Sequence, residues 1–330
     1  MPTTSVACVM SRRFPDRRHV PVTAHLIALA GCCAFAPLKA EPVIGQFELK
    51  TLDSAPGAYE FQSQNAWSWD QPQRQIEADG PDDFAADENS ITCERYALEL
   101  ERGFTRFFKM RVGVEFEKER LDDPATIERA NDFGALKLAE VGIEAVAIFV
   151  PREGDGAGLG VVAELEGPPN QDEPNNLTLG TIVEFKSGPW LAAAVPMVVH
   201  SFGGDAEAGE RVDNKWDFAY AAQLMYTFSA AWSLAFEGYG TVERIGNTGH
   251  PSDSAQRFGD FDQHRAGAIL YYTYDFDGAR PAPLTAKPMS LSEEDEESEG
   301  TSLTVGFGLL EGLNGNTPDH TLKLSIEVHF

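Results

Sequence analysis

The chain has 330 residues, and its 52 acidic residues outnumber its 26 basic residues, which gives a formal net charge of −26. We do not expect such an acidic chain to bind nucleic acid, because phosphate contacts need clustered lysine and arginine. After the first 40 residues there is no apolar run of about 20 residues, which excludes transmembrane helices as well.

Residues 1–40 have the organisation of a signal peptide, and we expect export through the Sec pathway. Four arginines between positions 12 and 18 precede the short apolar stretch 24–36, and Ala40 offers a small residue for cleavage before Glu41. This leader holds five of the basic residues and one of the acidic residues, so the mature chain carries a net charge of −30.

Cysteine usage excludes a disulfide scaffold. Cys8, Cys32 and Cys33 lie in the leader, so the mature chain keeps Cys93 alone and can form no internal disulfide. The stretch from Leu29 to Cys32 resembles a lipoprotein processing box, and lipidation of Cys32 stays open as an alternative to ordinary cleavage.

From residue 59 onward, apolar and polar residues alternate with the period of two that is typical of β-strands. In the clearest case, Phe108, Val112 and Phe116 share one face of the strand, and Lys109 and Arg111 share the other. The pattern predicts twelve strands, at 59–69, 91–102, 105–119, 133–150, 157–166, 176–186, 190–202, 214–228, 231–244, 262–276, 302–313 and 321–330.

Two of these strands are ambiguous. Residues 133–150 also fit an amphipathic helix, but the neighbouring strands and the turn at 151–156 favour a bulged strand. The strand at 190–202 is largely apolar and contains Pro196, which indicates a bulge in that strand too.

The connections between the predicted strands alternate between long and short. The alternation fails near the end, where 277–300 is long in place of a turn and 314–320 is short, so either that turn carries an insertion or one strand is miscounted. Aromatic residues crowd the strand ends, at Trp67, Trp69, Trp190, Trp216, Phe228, Trp232, Tyr274 and Phe276.

The last ten residues complete the pattern. Five apolar residues from Leu322 to Phe330 occupy one face of the final strand, and polar residues occupy the other. A closing strand that ends in a carboxy-terminal Phe resembles the assembly signal of bacterial outer-membrane β-barrels. The leader, the alternating strands, the long loops and short turns and the aromatic strand ends resemble the same class.

This resemblance implies an all-β fold, a transmembrane antiparallel up-and-down β-barrel of about 12 strands, with a range of about 10 to 14. The domains would be a signal peptide at 1–40, a periplasmic segment at 41–58, and a barrel at 59–330 with a mobile acidic loop at 277–300. The segment at 41–58 would begin a strand or lie across the barrel mouth.

The resemblance also implies a location in the outer membrane of a Gram-negative bacterium. The expected partners are membrane lipid, lipopolysaccharide, small solutes and the barrel-insertion machinery, which would recognise Phe330 as the assembly signal. The expected role is passive transport, porin-like, as in poorly characterised outer-membrane transporter families.

Two other functions stay open, a barrel enzyme that acts on lipid and a lipid-anchored periplasmic binding protein rich in β-structure. His200 and Ser201 are the one candidate pair for hydrolysis. Because no metalloprotease, nucleophile-elbow, phosphate-loop or dinucleotide motif occurs, we expect no catalytic residues, cofactor or metal.

The polar faces predict which charged residues line the lumen. Acids outnumber bases on these faces, so an open lumen would favour cations, whereas ion pairs among Lys109, Arg111 and Glu115 would plug so narrow a barrel. Val112 and Val114 should face lipid, so Val112→Arg should impair folding more than Arg111→Ala. The predicted lumen-facing charges are Arg95, Glu99, Glu101, Lys109, Arg111, Glu115, Glu117, Glu237, Arg265, Asp275, Lys323 and Glu327.

Overall fold

The computed structural model describes residues 47–69, 75–77, 84–86, 91–119, 134–152, 154–169, 174–203, 215–242, 245, 262–276, 301–314 and 317–330. The expected signal peptide at 1–40 and the expected acidic loop at 277–300 lie outside these residues. Among the described residues, no helix has the length and apolar character needed to cross a membrane.

The described residues contain fourteen strands, twelve of which close into one antiparallel barrel. This confirms the predicted all-β barrel and its strand count. The strands are β1 (Tyr59–Trp69), β2 (Gln75–Glu77), β3 (Phe84–Ala86), β4 (Ile91–Thr105), β5 (Phe108–Glu119), β6 (Lys137–Val150), β7 (Gly156–Gly167), β8 (Asn175–Ser187), β9 (Trp190–Phe202), β10 (Lys215–Thr227), β11 (Trp232–Val242), β12 (Gln263–Asp275), β13 (Ser302–Gly312) and β14 (His320–His329).

Each barrel strand pairs with the next barrel strand along the chain, and the short strands β2 and β3 pair with each other. The first strand, β1, pairs with β4 on one side and with the last strand, β14, on the other. The closing register sets Phe61 opposite Val328 and Trp67 opposite Leu322. The barrel wall therefore has no unpaired edge at this seam, which removes the hydrogen-bonding liability of an open sheet.

The two faces of the barrel wall differ in polarity. On β5, Val112 points outward with 53% of its surface exposed, while its neighbour Arg111 points inward and is 3% exposed. The other strands repeat this arrangement, so large apolar side chains cover the outside of the barrel. They include Leu98, Ile143, Leu165, Leu179, Val183, Leu224, Leu234, Phe236, Leu270 and Phe307.

The two ends of the barrel differ in the length of their connections. The short turns join β4 to β5, β6 to β7, β8 to β9 and β10 to β11, and the carboxy-terminal residue lies at the same end, beside Tyr59. Asp275 of β12 pairs with Ser302 of β13 at this end, so the two predicted strands that flank 277–300 are direct neighbours in the barrel. Exposed aromatic side chains surround this turn end, at Phe104, Phe107, Phe149, Phe185, Trp190, Phe228, Trp232, Tyr274, Phe276 and Phe330.

The two ambiguous strands have different outcomes. β6 is a strand, and its register with β7 shifts between Ile148 and Val150, which confirms the predicted bulged strand. β9 has no bulge at Pro196, so that prediction was wrong: Pro196 stays in register with Tyr220 of β10. On the β8 side the register is the same before and after Pro196, and pairing is only interrupted there, because proline cannot donate a ladder hydrogen bond.

Candidate functional site

The candidate site is the lumen, and a segment that precedes the first strand lies inside it. We call residues 47–54 the plug. The chain leaves the plug through a tight turn in which the Ala58 N–H donates to the Ala55 carbonyl over 3.2 Å. Pro56 and Gly57 occupy the central positions of this turn, and Gly57 has a φ of 87°, as a type II turn requires. The turn folds the plug back into the barrel that it precedes.

Arg111 binds the plug to the barrel wall. Its guanidinium contacts Glu48 of the plug and lies 3.2 Å from a carboxylate oxygen of Glu99 and 3.0 Å from one of Glu101. Lys109 lies on the same strand, two residues closer to the turn end. Its ammonium group donates to the Thr51 hydroxyl of the plug over 3.2 Å. The alternation of β5 aims both cations into the lumen, where burial removes the water that would otherwise solvate them.

Lys50 is the second anchor of the plug. Its Nζ lies 3.1 Å from Glu48 and 3.4 Å from Glu164, and it also contacts Glu144. The Lys50 side chain is 3% exposed. Buried charges are tolerated only when they are paired, and here carboxylates from two wall strands, β6 and β7, surround the ammonium group.

Apolar contacts hold the two ends of the plug. The ring of Phe47 packs edge-on against Tyr239 at 5.5 Å, and the Arg265 guanidinium lies over the same ring, 4.6 Å from its centroid. Leu52 lies against the backbone of Gly160, where a Cβ atom would come within 2.7 Å of the leucine. The Leu52 N–H donates to Glu184 over 2.8 Å. The glycines of β7 thus leave the space that Leu52 fills.

A second polar network fills the lumen on the far side of the plug. Glu237 is fully buried and accepts hydrogen bonds from Lys323 at 2.8 Å, Tyr239 at 2.6 Å and Tyr271 at 2.5 Å. Lys323 also donates to the Tyr239 hydroxyl over 2.9 Å. Every side chain of this network lies on a wall strand, so the network is part of the barrel itself.

Two small cavities remain beside the plug. One has a volume of about 20 Å³ and is lined by Arg111 and by several carboxylates, among them Glu99, Glu140 and Glu166. The other has a volume of about 10 Å³ and lies next to Phe47. A water molecule needs about 10–15 Å³, so each cavity holds only one or two waters. The plug and the side chains that contact it occupy the lumen at this level.

The charges of Glu48 and Lys50 are stabilised by their neighbours. Burial raises the pKa of Glu48, but the charges of Arg111 and Lys50 outweigh it and lower this pKa from 4.5 to about 2. Burial lowers the pKa of Lys50, but the charges of Glu144, Glu164 and Glu48 outweigh it and raise this pKa well above 10.5. Both anchors are therefore ionised near neutral pH.

Most of the sequence-predicted lumen charges lie in these networks. Arg95 pairs with Glu115 at 3.2 Å and with Glu117 at 3.3 Å, and Lys109 pairs with Glu101 at 2.9 Å. Arg265 donates to Thr321 over 2.9 Å and to Gln263 over 3.0 Å. Near the turn end, Glu327 lies beside Glu60 and His329, whereas Asp275 is exposed at the end of its strand.

Sequence analysis missed the plug itself. It expected 41–58 to be a periplasmic segment that begins a strand or lies across the barrel mouth, whereas residues 47–54 lie inside the lumen. Two signals in the sequence point to this placement. Pro56 and Gly57 predict a chain reversal immediately before β1, and the excess of lumen carboxylates calls for cations that the wall does not supply.

The candidate hydrolytic pair does not come together. His200 lies on the outer face of β9, stacked on Trp216 at 4.2 Å. Ser201 points into the lumen and donates to Asn176 over 2.8 Å. Adjacent residues of a strand point to opposite faces, so the His200 ring cannot take a proton from the Ser201 hydroxyl.

The terminal residue lies at the seam of the barrel. Phe330 exchanges backbone hydrogen bonds with Tyr59 at 2.8 and 2.9 Å, and the two rings stack at 5.8 Å. The Phe330 side chain is 53% exposed on the outside of the wall. Its role as an assembly signal stays a prediction.

A closed antiparallel barrel with an apolar exterior, a ring of aromatic side chains and a charged interior is the architecture of outer-membrane β-barrels, because only closed structures satisfy every backbone group within lipid. The chain has the fold of an outer-membrane β-barrel. Its twelve strands are paired in the up-and-down order.

Comparisons with known proteins agree with this class. No protein-family model and no curated protein matches the chain. Among solved structures, the COG4313 outer membrane channel from Pseudomonas putida F1 is similar in fold, with a TM-score of 0.50 and 15% identity over 86% of this chain and 99% of that chain. The KdgM porin gives a TM-score of 0.38 at 10% identity, over 83% of this chain and 98% of that chain. The NanC porin gives a TM-score of 0.43 at 7% identity, over 82% of this chain and 98% of that chain.

Proposed function

We propose that the protein is a passive outer-membrane channel for small solutes and that it favours cations when its lumen is open. The observation that carries this proposal is the excess of buried carboxylates over buried cations on the described barrel strands. The carboxylates are Glu99, Glu101, Glu115, Glu144, Glu184, Asp217 and Glu237, and the cations are Lys109, Arg111, Arg265 and Lys323.

The physical reason is the field inside a narrow barrel. Charges of one sign in a passage with low-dielectric walls concentrate counter-ions, and rings of carboxylates select cations in other channels. The names of the similar structures, a channel and two porins, support transport but do not identify a solute. The separation of His200 from Ser201 removes the one candidate pair for the enzymatic alternative.

The test is the reversal potential of the full-length protein in a planar bilayer under a KCl gradient. We expect a reversal potential whose sign corresponds to cation selectivity. Glu144→Gln and Glu164→Gln should each lower that selectivity, because they remove wall carboxylates.

Lys186→Gln provides the matched control, since it removes a half-buried cation from the same face of the wall and should raise the selectivity. Anion selectivity of the unaltered protein would contradict the assignment of these side chains to the conducting path.

A further inference from the structure

Lys50 is held in the lumen in the way that a free ammonium ion would be held. Three carboxylates surround its Nζ, from Glu48 at 3.1 Å, from Glu164 at 3.4 Å and from Glu144. An ammonium group has three hydrogen-bond donors and no acceptor, so three carboxylates satisfy it. Two of the three belong to the barrel wall and would remain in place if the plug moved.

Further carboxylates lie near this ammonium group, around the same cavity. Glu115, Glu140 and Glu166 bring carboxylate oxygens within 4.8 Å of one another, and they line the cavity of about 20 Å³ beside Arg111. One buried oxygen of Glu140 has no hydrogen-bond partner among the described residues. A buried acceptor without a donor costs free energy, so this cavity favours a second cationic donor beside Lys50.

The plug is attached in a way that allows it to leave. Its residues from Leu49 onward form neither helix nor strand, so no backbone ladder with the wall has to be broken. Leu52 rests on the backbone of Gly158 and Gly160. The turn at Pro56 and Gly57 joins the plug to β1 at the barrel mouth. The ion pairs of Glu48 and Lys50 hold the plug together with the buried side chains at its two ends.

We propose that the Lys50 ammonium occupies the lumen's own binding site for primary ammonium groups, and that cationic solutes bearing such groups open the barrel by taking its place. The inference rests on the proposed channel function and names its solute class. A solute shifts the equilibrium between docked and undocked plug only through its higher affinity for the undocked state. That affinity is provided by Glu144 and Glu164, which Lys50 releases when it leaves.

The experiment titrates the full-length protein in a planar bilayer with 1,5-diaminopentane at constant ionic strength. Tetramethylammonium serves as the control ion, because it carries positive charge but no N–H donor. We expect the diamine to raise the open probability several-fold and tetramethylammonium to leave it unchanged. Equal effects of both ions would overturn the assignment of an ammonium site.

A disulfide lock tests whether the plug is the moving part. In a Cys93→Ser background, the pair Leu52→Cys and Gly160→Cys joins the plug to β7, where leucine and backbone are already in contact. The oxidised protein should stay closed in the diamine, and reduction should restore the response. A response that survives oxidation would overturn the proposal.

Wall variants test the site without altering the plug. Because Glu144 and Glu164 hold Lys50 as well as the diamine, Glu144→Gln and Glu164→Gln should each raise basal opening and remove most of the further rise that the diamine causes. Glu117→Gln is the matched control, because Glu117 lies on the same wall but pairs with Arg95 and Lys137. An equal effect in the control would overturn the proposed site.

A second readout separates this proposal from the channel function. In the Cys93→Ser background, Leu52→Cys should be protected from a water-soluble maleimide and should become reactive in the diamine, whether or not current flows. Labelling that rises without any conductance would refute the channel and keep the ammonium site. Conductance with a thiol that the diamine never exposes would keep the channel and overturn the site.

Discussion

Arg111 shows how one side chain can join a segment to a wall. It contacts Glu48, Glu99 and Glu101 with only 3% of its side chain exposed. Removing one partner of a buried ion network leaves the other charges unpaired, at a cost of roughly 3–5 kcal/mol. This changes an expectation drawn from the sequence, in which lumen changes such as Arg111→Ala were tolerated and Val112→Arg was the more damaging change.

The lipid-facing position of Val112 gives a prediction about stability. Val112→Arg places a charge on the lipid face, which costs roughly 2–4 kcal/mol near the middle of the bilayer. Arg111→Ala should now cost about as much, because Glu99 loses its cation and Glu48 and Glu101 each lose one of two. The measurement is urea-dependent unfolding in phospholipid vesicles.

Two control variants complete this test. Val112→Leu keeps the outer face apolar, and Lys186→Ala changes a half-buried lumen cation, so each should shift the unfolding midpoint little. If Val112→Arg were harmless, the two faces of β5 would be exchanged.

The ionisation of Glu48 and Lys50 gives a prediction about pH. The pKa of Glu48 is lowered from 4.5 to about 2, so its contribution to docking is complete above pH 4.5 and is lost as the pH falls toward 2. The pKa of Lys50 is raised above 10.5, so its contribution is complete below pH 10.5 and is lost only at higher pH.

We therefore expect the closed level of the full-length protein to persist between pH 5 and pH 10 in bilayer recordings and to be lost in stronger acid. Lys50→Gln removes one anchor and should open more readily throughout this range. A wild-type channel that stayed mainly open at pH 7 without added amine would contradict the docking assigned to these two residues.

At the scale of single elements, β14 both closes the wall and ends the chain. Its backbone pairs with β1 along its whole length, and Phe330 adds one further pair with Tyr59. Deleting Phe330 should sharply lower the amount of folded barrel in the outer membrane, because the insertion machinery loses its signal. The measurement is the amount of barrel in isolated outer membranes.

A packing role for Phe330 can be separated from a signalling role. Tyr59→Ala removes the ring on which Phe330 stacks but keeps the terminal Phe, so it should leave insertion in cells nearly unchanged. Purified protein that lacks Phe330 should still refold into detergent. Normal insertion of the truncated chain in cells would contradict the assigned role of Phe330.

At the scale of the whole molecule, closure of the barrel wall accounts for the stability of the folded protein. Every barrel strand has two hydrogen-bonded neighbours, so the folded protein should resist sodium dodecyl sulfate until it is boiled. Unboiled protein should therefore migrate faster on a gel than boiled protein. Identical migration of the two samples would argue against a closed barrel in the membrane-extracted protein.

The sequence by itself determined the barrel. Alternation with a period of two is a local property, since it needs only the order of residues within one strand such as 105–119. That order fixed the strands, their two faces and the order of pairing, because each strand pairs with its neighbour along the chain. It left open whether a strand was miscounted near the end of the chain, and the pairing of β12 with β13 decided this.

Only the tertiary structure decided that residues 47–54 lie inside the lumen. The contacts that place the plug join residues far apart in the chain, since Glu48 lies 63 positions from Arg111, Lys50 lies 114 from Glu164, and Leu52 lies 132 from Glu184. No periodicity reports such contacts, because they depend on which charges the closed wall brings together. The position of the plug depends on ion pairs between buried charges. These pairs can form only once the closed barrel has brought the wall residues together.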